Sequence, residues 1–254
     1  MKFDELKEFL DLKANHYQSQ DFISADPIQI PHRFTKKEDV EIAGFLAATI
    51  AWGNRTSIIK NANEMMKLMD EAPFDFIVNH QTSDLDVFDG FVHRTFNATD
   101  LKYFVQAIKN LYVNKGGLEF CITQHVSKMP LQTALHHFKK DFFELPHELR
   151  TEKHLADPLK GSAAKRINMY LRWMVRPNTS GVDFGLWKSM HPRNLSCPLD
   201  VHSGTVARKL GILNRKQNDA KAVLELDKQL RIMDSEDPVK YDFALFGLGA
   251  FEKF

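Results

Sequence analysis

Apolar residues recur along this chain at helical spacing almost throughout. Leu6, Phe9, Leu10 and Leu12 mark a first helix. Ile42, Phe45, Leu46, Thr49 and Ile50 mark a second, with Asp39 reading as its cap. Trp52-Gly53-Asn54-Arg55 breaks that pattern before Ile58, Ile59, Met65, Met66 and Met69 resume it, which predicts a helix, a tight turn and another helix. Further helices are expected from Asp100 onward, over 117–126, 131–143 and 219–233, and over 238–248. No stretch sustains alternation with a period of two residues, so the predicted fold is all-α. The one long irregular segment is 176–199, punctuated by Pro177, Gly181, Pro192 and Pro198. The chain reads as one helical unit over 1–254, divisible into a lobe of 36–155 and a lobe formed by 1–35 with 156–254.

Composition narrows the function classes. With 254 residues, 43% hydrophobic and 26% charged, the chain can bury a substantial core. A net charge of +1 gives no global field toward a polyanion, so any nucleic-acid surface must be a local patch. No apolar run approaches the roughly 20 residues of a membrane span, and Met1-Lys2-Phe3-Asp4-Glu5 does not read as a signal peptide. Cys121 and Cys197, far apart in sequence, fit a reducing cytoplasm and cannot supply the four thiolates of an iron–sulfur cluster. The eleven histidines, the adjacent His136 and His137 included, show no metal-ligand spacing, so neither a metal nor a cofactor is expected.

The candidate chemistry lies in two local frames. Leu159-Lys160-Gly161-Ser162-Ala163-Ala164-Lys165 opens an apolar helical stretch from Ile167 to Val175. Small residues at Gly161, Ser162 and Ala163 would let backbone N–H groups approach a phosphate, and the same run also reads as a plain helix–helix turn. Cys197-Pro198-Leu199-Asp200-Val201-His202 precedes Ser203-Gly204-Thr205, a helix start that runs on to Gly211. Ser203, Gly204 and Thr205 would hold a phosphate or simply cap that helix, and Asp200 itself reads as an N-cap.

Together these frames resemble the helix-hairpin-helix (HhH-GPD) superfamily of base-excision DNA glycosylases. In the 8-oxoguanine branch a lysine closes a Leu-Pro-Gly-Val-Gly-x-Lys hairpin and an aspartate lies in a Val-Asp-x-His segment. Leu159 to Lys165 and Leu199 to His202 match those segments in spacing, and Lys165 to Arg172 resembles the Lys-x4-aromatic-Leu-Arg pattern of the archaeal-type members. Ala51 to Ser57 stands where endonuclease III-like members carry a gap-filling turn, and Tyr241 to Gly249 resembles the closing helix. Across its length the chain looks most like a bacterial family of this type with no assigned substrate, marked by the blocks Leu-Arg-Trp-Met-Val-Arg and Pro-Leu-Asp-x-His. It departs from the superfamily pattern at Lys160 in place of proline, at Ala163 in place of the second glycine, and in the length of the segment between Lys165 and Asp200.

The resemblance implies a two-lobed helical fold and a DNA glycosylase with associated AP-lyase activity. The target base, an oxidised purine such as 8-oxoguanine by this likeness, would leave the stack. Lys165 would attack the sugar C1′ as a neutral amine, and Asp200 would take a proton and stabilise the oxocarbenium-like sugar. A Schiff base and elimination would follow, without cofactor. Gly161, Ser162, Ala163, His202, Ser203, Gly204 and Thr205 would contact the DNA backbone, and Trp52, Asn54 and Arg55 would wedge into the duplex. Arg172 and Phe251 would reach the base pocket, although Arg172 and Arg176 also read as partners for Asp183. The expected partner is damaged double-stranded DNA bound by a monomer in the cytoplasm, at the bacterial nucleoid. A non-catalytic DNA-binding protein on the same scaffold and a helical protein-interaction module are the alternative readings.

Overall fold

A computed structural model describes residues 2–254. Its helices are α1 (Phe3–Tyr17), α2 (Asp21–Ser24), α3 (Lys37–Thr49), α4 (Arg55–Leu68), α5 (Pro73–Asn79), α6 (Ala98–Asn114), α7 (Gly117–Val126), α8 (Leu131–Phe142), α9 (Lys165–Val175), α10 (Val201–Lys209), α11 (Ala220–Met233) and α12 (Tyr241–Ala250). Among the described residues the only sheet is an antiparallel hairpin of β1 (Val92–His93) and β2 (Phe96–Asn97), so the fold is all-α. None of these helices is long and apolar enough to cross a membrane.

The chain divides into two compact units. One comprises Met1–Ile23, Pro130–Thr133 and Ala156–Phe254; the other comprises Ser24–Met129 and Ala134–Leu155. The segment 24–35 therefore belongs with the middle of the chain and not, as expected, with the termini. Its two 3-10 turns, Pro27–Gln29 and Pro31–Arg33, pack on α3 and bury Ile28 and Ile30 completely. Their apolar residues are too few for a helical period to betray this.

The middle unit is built on aromatic packing, with Phe104 against Phe142 at 4.9 Å and against Phe45 at 6.2 Å between ring centroids. Asn97 caps α6 by accepting from the Asp100 N–H. The Asp100 side chain, fully buried, accepts in turn from the Thr151 hydroxyl at 2.7 Å and from Arg150. Asp39 is not the cap of α3. That helix begins two residues earlier, and the Asp39 carboxylate accepts from the Phe74 N–H at 2.8 Å, fixing the start of α5. α5 and the β-hairpin had no counterpart in the periodicity because neither is long enough to display one.

In the other unit α12 packs between α1 and α10. Two glycines allow this: a Cβ at Gly247 would overlap the Tyr17 ring, and one at Gly249 would sit 3.0 Å from His202. α9 is buried from Ile167 to Val175 on every face, as a helix in the middle of a unit must be. The long segment after it is not a free loop. The Phe184 and Trp187 N–H groups donate to the Trp173 and Met174 carbonyls at 2.8 and 3.0 Å, satisfying acceptors at the end of α9. Trp187, fully buried, meets Tyr170 edge-on at 5.5 Å.

Candidate active site

Lys165 is the first residue of α9, and the turn before it has a definite geometry. A single 3-10 turn (Pro158–Lys160), started by Asp157, ends at Gly161 with φ 91°. Ala164 then adopts φ 48°, ψ 38° directly before Lys165. Two left-handed residues in four reverse the chain sharply, and nothing within 4 Å surrounds a would-be Cβ at Gly161. The Gly161 carbonyl accepts from Ala220 N–H at 3.1 Å, and Ser162 bridges Asp219, the N-cap of α11. The Ser162 hydroxyl accepts from the Ala164 N–H at 3.1 Å. The first arm of the turn is thus a 3-10 turn and not the full helix expected, since Pro158 and Gly161 leave no room for one. α9 itself has no side-chain cap.

Asp200 is the N-cap of α10. Its Oδ1 accepts from Ser203 N–H at 3.0 Å and lies 3.2 Å from the Ser203 hydroxyl, which accepts from Asp200 N–H at 2.9 Å. This reciprocal cap accounts for Ser203, which is fully buried. Gly204 is filled in by Asn218, whose Oδ1 would lie 2.6 Å from a Cβ there and whose amide donates to the Asp200 carbonyl. The Thr205 hydroxyl donates back to the Val201 carbonyl at 2.7 Å. Ser203 and Gly204 are therefore packing and capping residues where phosphate contacts were expected, and His202 and Thr205 are the exposed members of the run. His202 meets Phe246 edge-on at 5.8 Å.

What joins the two frames is Asp242 of α12, which the sequence reading passed over. Its carboxyl is buried, accepts from Arg172 Nη1 at 2.5 Å, and lies 3.9 Å from Cys197 Sγ. Burial pushes it up to about 6; Arg172 pulls it down, Asp200 pushes it up and Lys165 pulls it down. The candidate amine and the candidate carboxylate thus lie within electrostatic reach of one buried acid. The Lys165 amine rests 3.2 Å from Met169 Sδ, one turn along α9.

Arg172 is 3% exposed and lies 4.2 Å over the Phe243 ring. With its guanidinium divided between Asp242 and Asp183, it is a structural cation and not the pocket wall expected. Asp183 also binds Arg176, which reaches Asp237 as well. Burial pulls the Arg176 guanidinium down, but Asp183 and Asp237 outweigh it and hold it above its ordinary value. Phe251 is half-exposed and stacks on Tyr17 at 5.7 Å.

The middle unit carries the wedge candidates. Asn54 caps α4, accepting from Ser57 N–H at 3.2 Å, and Arg55 opens that helix. Trp52 is half-buried, edge-on to His93 at 5.0 Å and tilted against His154 at 5.9 Å. Gly53, at φ 98°, lies under the Arg94 side chain, which projects from the β-hairpin. Arg94 is exposed and was not assigned from sequence; a two-residue hairpin leaves too short a pattern to place it beside the Trp52 turn.

Among the described residues, no group of three or more His, Cys, Asp or Glu side chains could hold a metal ion. The chain belongs to the family described as "Protein of unknown function (DUF2400)", which it matches over residues 26–251. No curated protein and no solved structure matches it.

Proposed function

We propose that this chain is a base-excision DNA glycosylase with an associated lyase step, built on a two-lobed helix-hairpin-helix scaffold and acting on damaged duplex DNA. The observation that carries the reading is the meeting of Lys165 and Asp200, each at the start of a helix, in the field of the single buried Asp242. An amine that follows a glycine turn is held at the rim of its helix and stays partly exposed, where a sugar carbon can reach it. Asp200 is fixed by its own cap, so its carboxylate meets developing positive charge without first reorganising.

In this reading the base leaves the duplex, because its glycosidic carbon is out of reach in the stack. The neutral Lys165 amine attacks C1′ as the base departs, and Asp200 stabilises the sugar cation and accepts the amine's proton. The Lys165–C1′ bond becomes a Schiff base, and loss of a C2′ proton expels the 3′ phosphate. An oxidised purine such as 8-oxoguanine is the favoured target, from the sequence likeness at 159–165 and 199–202. The exposed Trp52-Gly53-Asn54-Arg55 turn, with Arg94 above it, supplies a ring and cations suited to a distorted duplex. The site resides in a protein of the cell interior in this reading, where its DNA substrate is.

One observation favours a second reading, a non-catalytic DNA-binding protein on the same scaffold: Asp200 already serves as a helix cap, which explains it without chemistry. Nicking assays on duplexes carrying 8-oxoguanine, an alkylated base, an oxidised pyrimidine or an abasic site separate the two. Lesion-dependent cleavage lost in Lys165→Gln supports the enzyme. Salt-sensitive binding with no cleavage of any duplex supports the second reading.

A further inference from the structure

The lyase chemistry above makes no use of Asp242, although its surroundings are unusually specific. The residue is 5% exposed, and its two recorded side-chain contacts come from opposite sides of the site. Arg172 shares a face of α9 with Lys165, since seven residues make two helical turns. Cys197 lies in the short segment that leads into Asp200. On α12, Gly249 is again two turns from Asp242, and it is the glycine that abuts His202 of α10. Asp242 is therefore on the face of α12 directed at the start of α10, between the two helix ends that carry the amine and the carboxylate.

The charged and titratable groups facing it can be assigned element by element. α9 supplies Arg172 and Lys165, the approach to α10 supplies Cys197 and Asp200, and the long loop supplies Asp183 through Arg172. From α1, Asp11 turns instead to Lys7 and Lys240. From α11, Asp227 accepts from the Cys197 N–H at 2.9 Å. Arg172 is thus the one permanent cation in direct contact with Asp242.

We propose that Asp242 is a positioning residue, held by Arg172, whose charge state governs the proton affinity of the Lys165 amine and the charge beside Asp200. What the pair does rests on the glycosylase reading; the coupling among the three groups does not. Ionised, Asp242 holds Lys165 as an ammonium and adds repulsion at Asp200. Protonated, it releases both, and the amine loses its proton more readily. An exchange of one proton at the centre of the site thereby adjusts both reactive groups in the same direction.

Competitive reductive methylation of the full chain at pH 8, read by peptide mass spectrometry, tests the coupling without DNA. Asp242→Asn raises Lys165 labelling about threefold or more relative to Lys188 and Lys216, the change expected for loss of one nearby negative charge. An unchanged ratio in a variant that melts like the parent overturns the proposal. A second measurement uses proteins in which Asp242 is intact: carboxyl NMR titration of wild type and of Lys165→Gln. Coupling is reciprocal, so removing the amine raises the Asp242 midpoint; an unmoved midpoint overturns the proposal. With an abasic duplex, borohydride trapping by Asp242→Asn shifts to lower pH. If no protein forms an adduct while both coupling measurements succeed, the glycosylase reading fails and the role of Asp242 in setting Lys165 reactivity stands.

Discussion

Arg176 donates to Asp183 at 2.5 Å, and this bond anchors the long 176–199 segment to the last turn of α9. Both side chains are almost completely buried, and Asp183 also lies 3.3 Å from Arg172 Nε. The segment that lengthens the interval between Lys165 and Asp200 is thus wired to the cation that contacts Asp242.

Removing that anchor leaves two buried guanidinium groups short of a carboxylate. Asp183→Ala is expected to cost about 3–5 kcal/mol, the usual penalty for breaking a buried pair by deleting one partner. Urea unfolding followed by Trp173 and Trp187 fluorescence measures it, since both rings are buried in the same unit as the pair. A loss below about 1 kcal/mol would mean that the pair is solvated in solution.

Asp200 separates structure from chemistry by substitution. Asn is as good an N-cap as Asp, so Asp200→Asn leaves stability within a few tenths of a kcal/mol, whereas Asp200→Ala loses about 1 kcal/mol with the cap. In the proposed enzyme both variants slow the chemical step and leave DNA affinity largely intact. Thermal melts paired with single-turnover nicking check this, and equal activity of Asp200→Asn and wild type would confine Asp200 to capping.

Gly161 offers a backbone test free of side-chain complications. At φ 91° with open space around it, Gly161→Ala meets no clash and is destabilising only through the left-handed conformation, by about 1–2 kcal/mol. A neutral melt would mean that the turn relaxes to another geometry.

Much of this was legible in the chain. The helices over 117–126 and 219–233 and the turn at Trp52 follow from apolar spacing and strong caps at Asn54 and Asp219, because those signals are local. Lys165 and Asp200 stood out because each sits in a compact frame of neighbours. Asp242 and Asp183 did not, since their importance comes from Arg172, which is distant from both in sequence and near both only after folding. The same limit hid the commitment of Gly204 to Asn218 and the placement of Arg94 over Gly53.

The pH dependence of stability carries a defined sign. Burial raises Asp242 from 3.8 to about 6, so the folded protein resists an ionisation that the unfolded chain undergoes freely. Its contribution is full below about pH 4 and is lost as pH rises toward 6. Urea midpoints across that window therefore fall more steeply with pH in wild type than in Asp242→Asn. Identical slopes would show that Asp242 titrates in the folded state at its ordinary value.

The central claim is tested most directly by borohydride reduction of the protein on an abasic duplex, followed by peptide mass spectrometry of the covalent product. The proposed chemistry predicts a reduced sugar on Lys165, with the covalent band absent in Lys165→Gln. An adduct on another residue, or none with any damaged duplex, would contradict it.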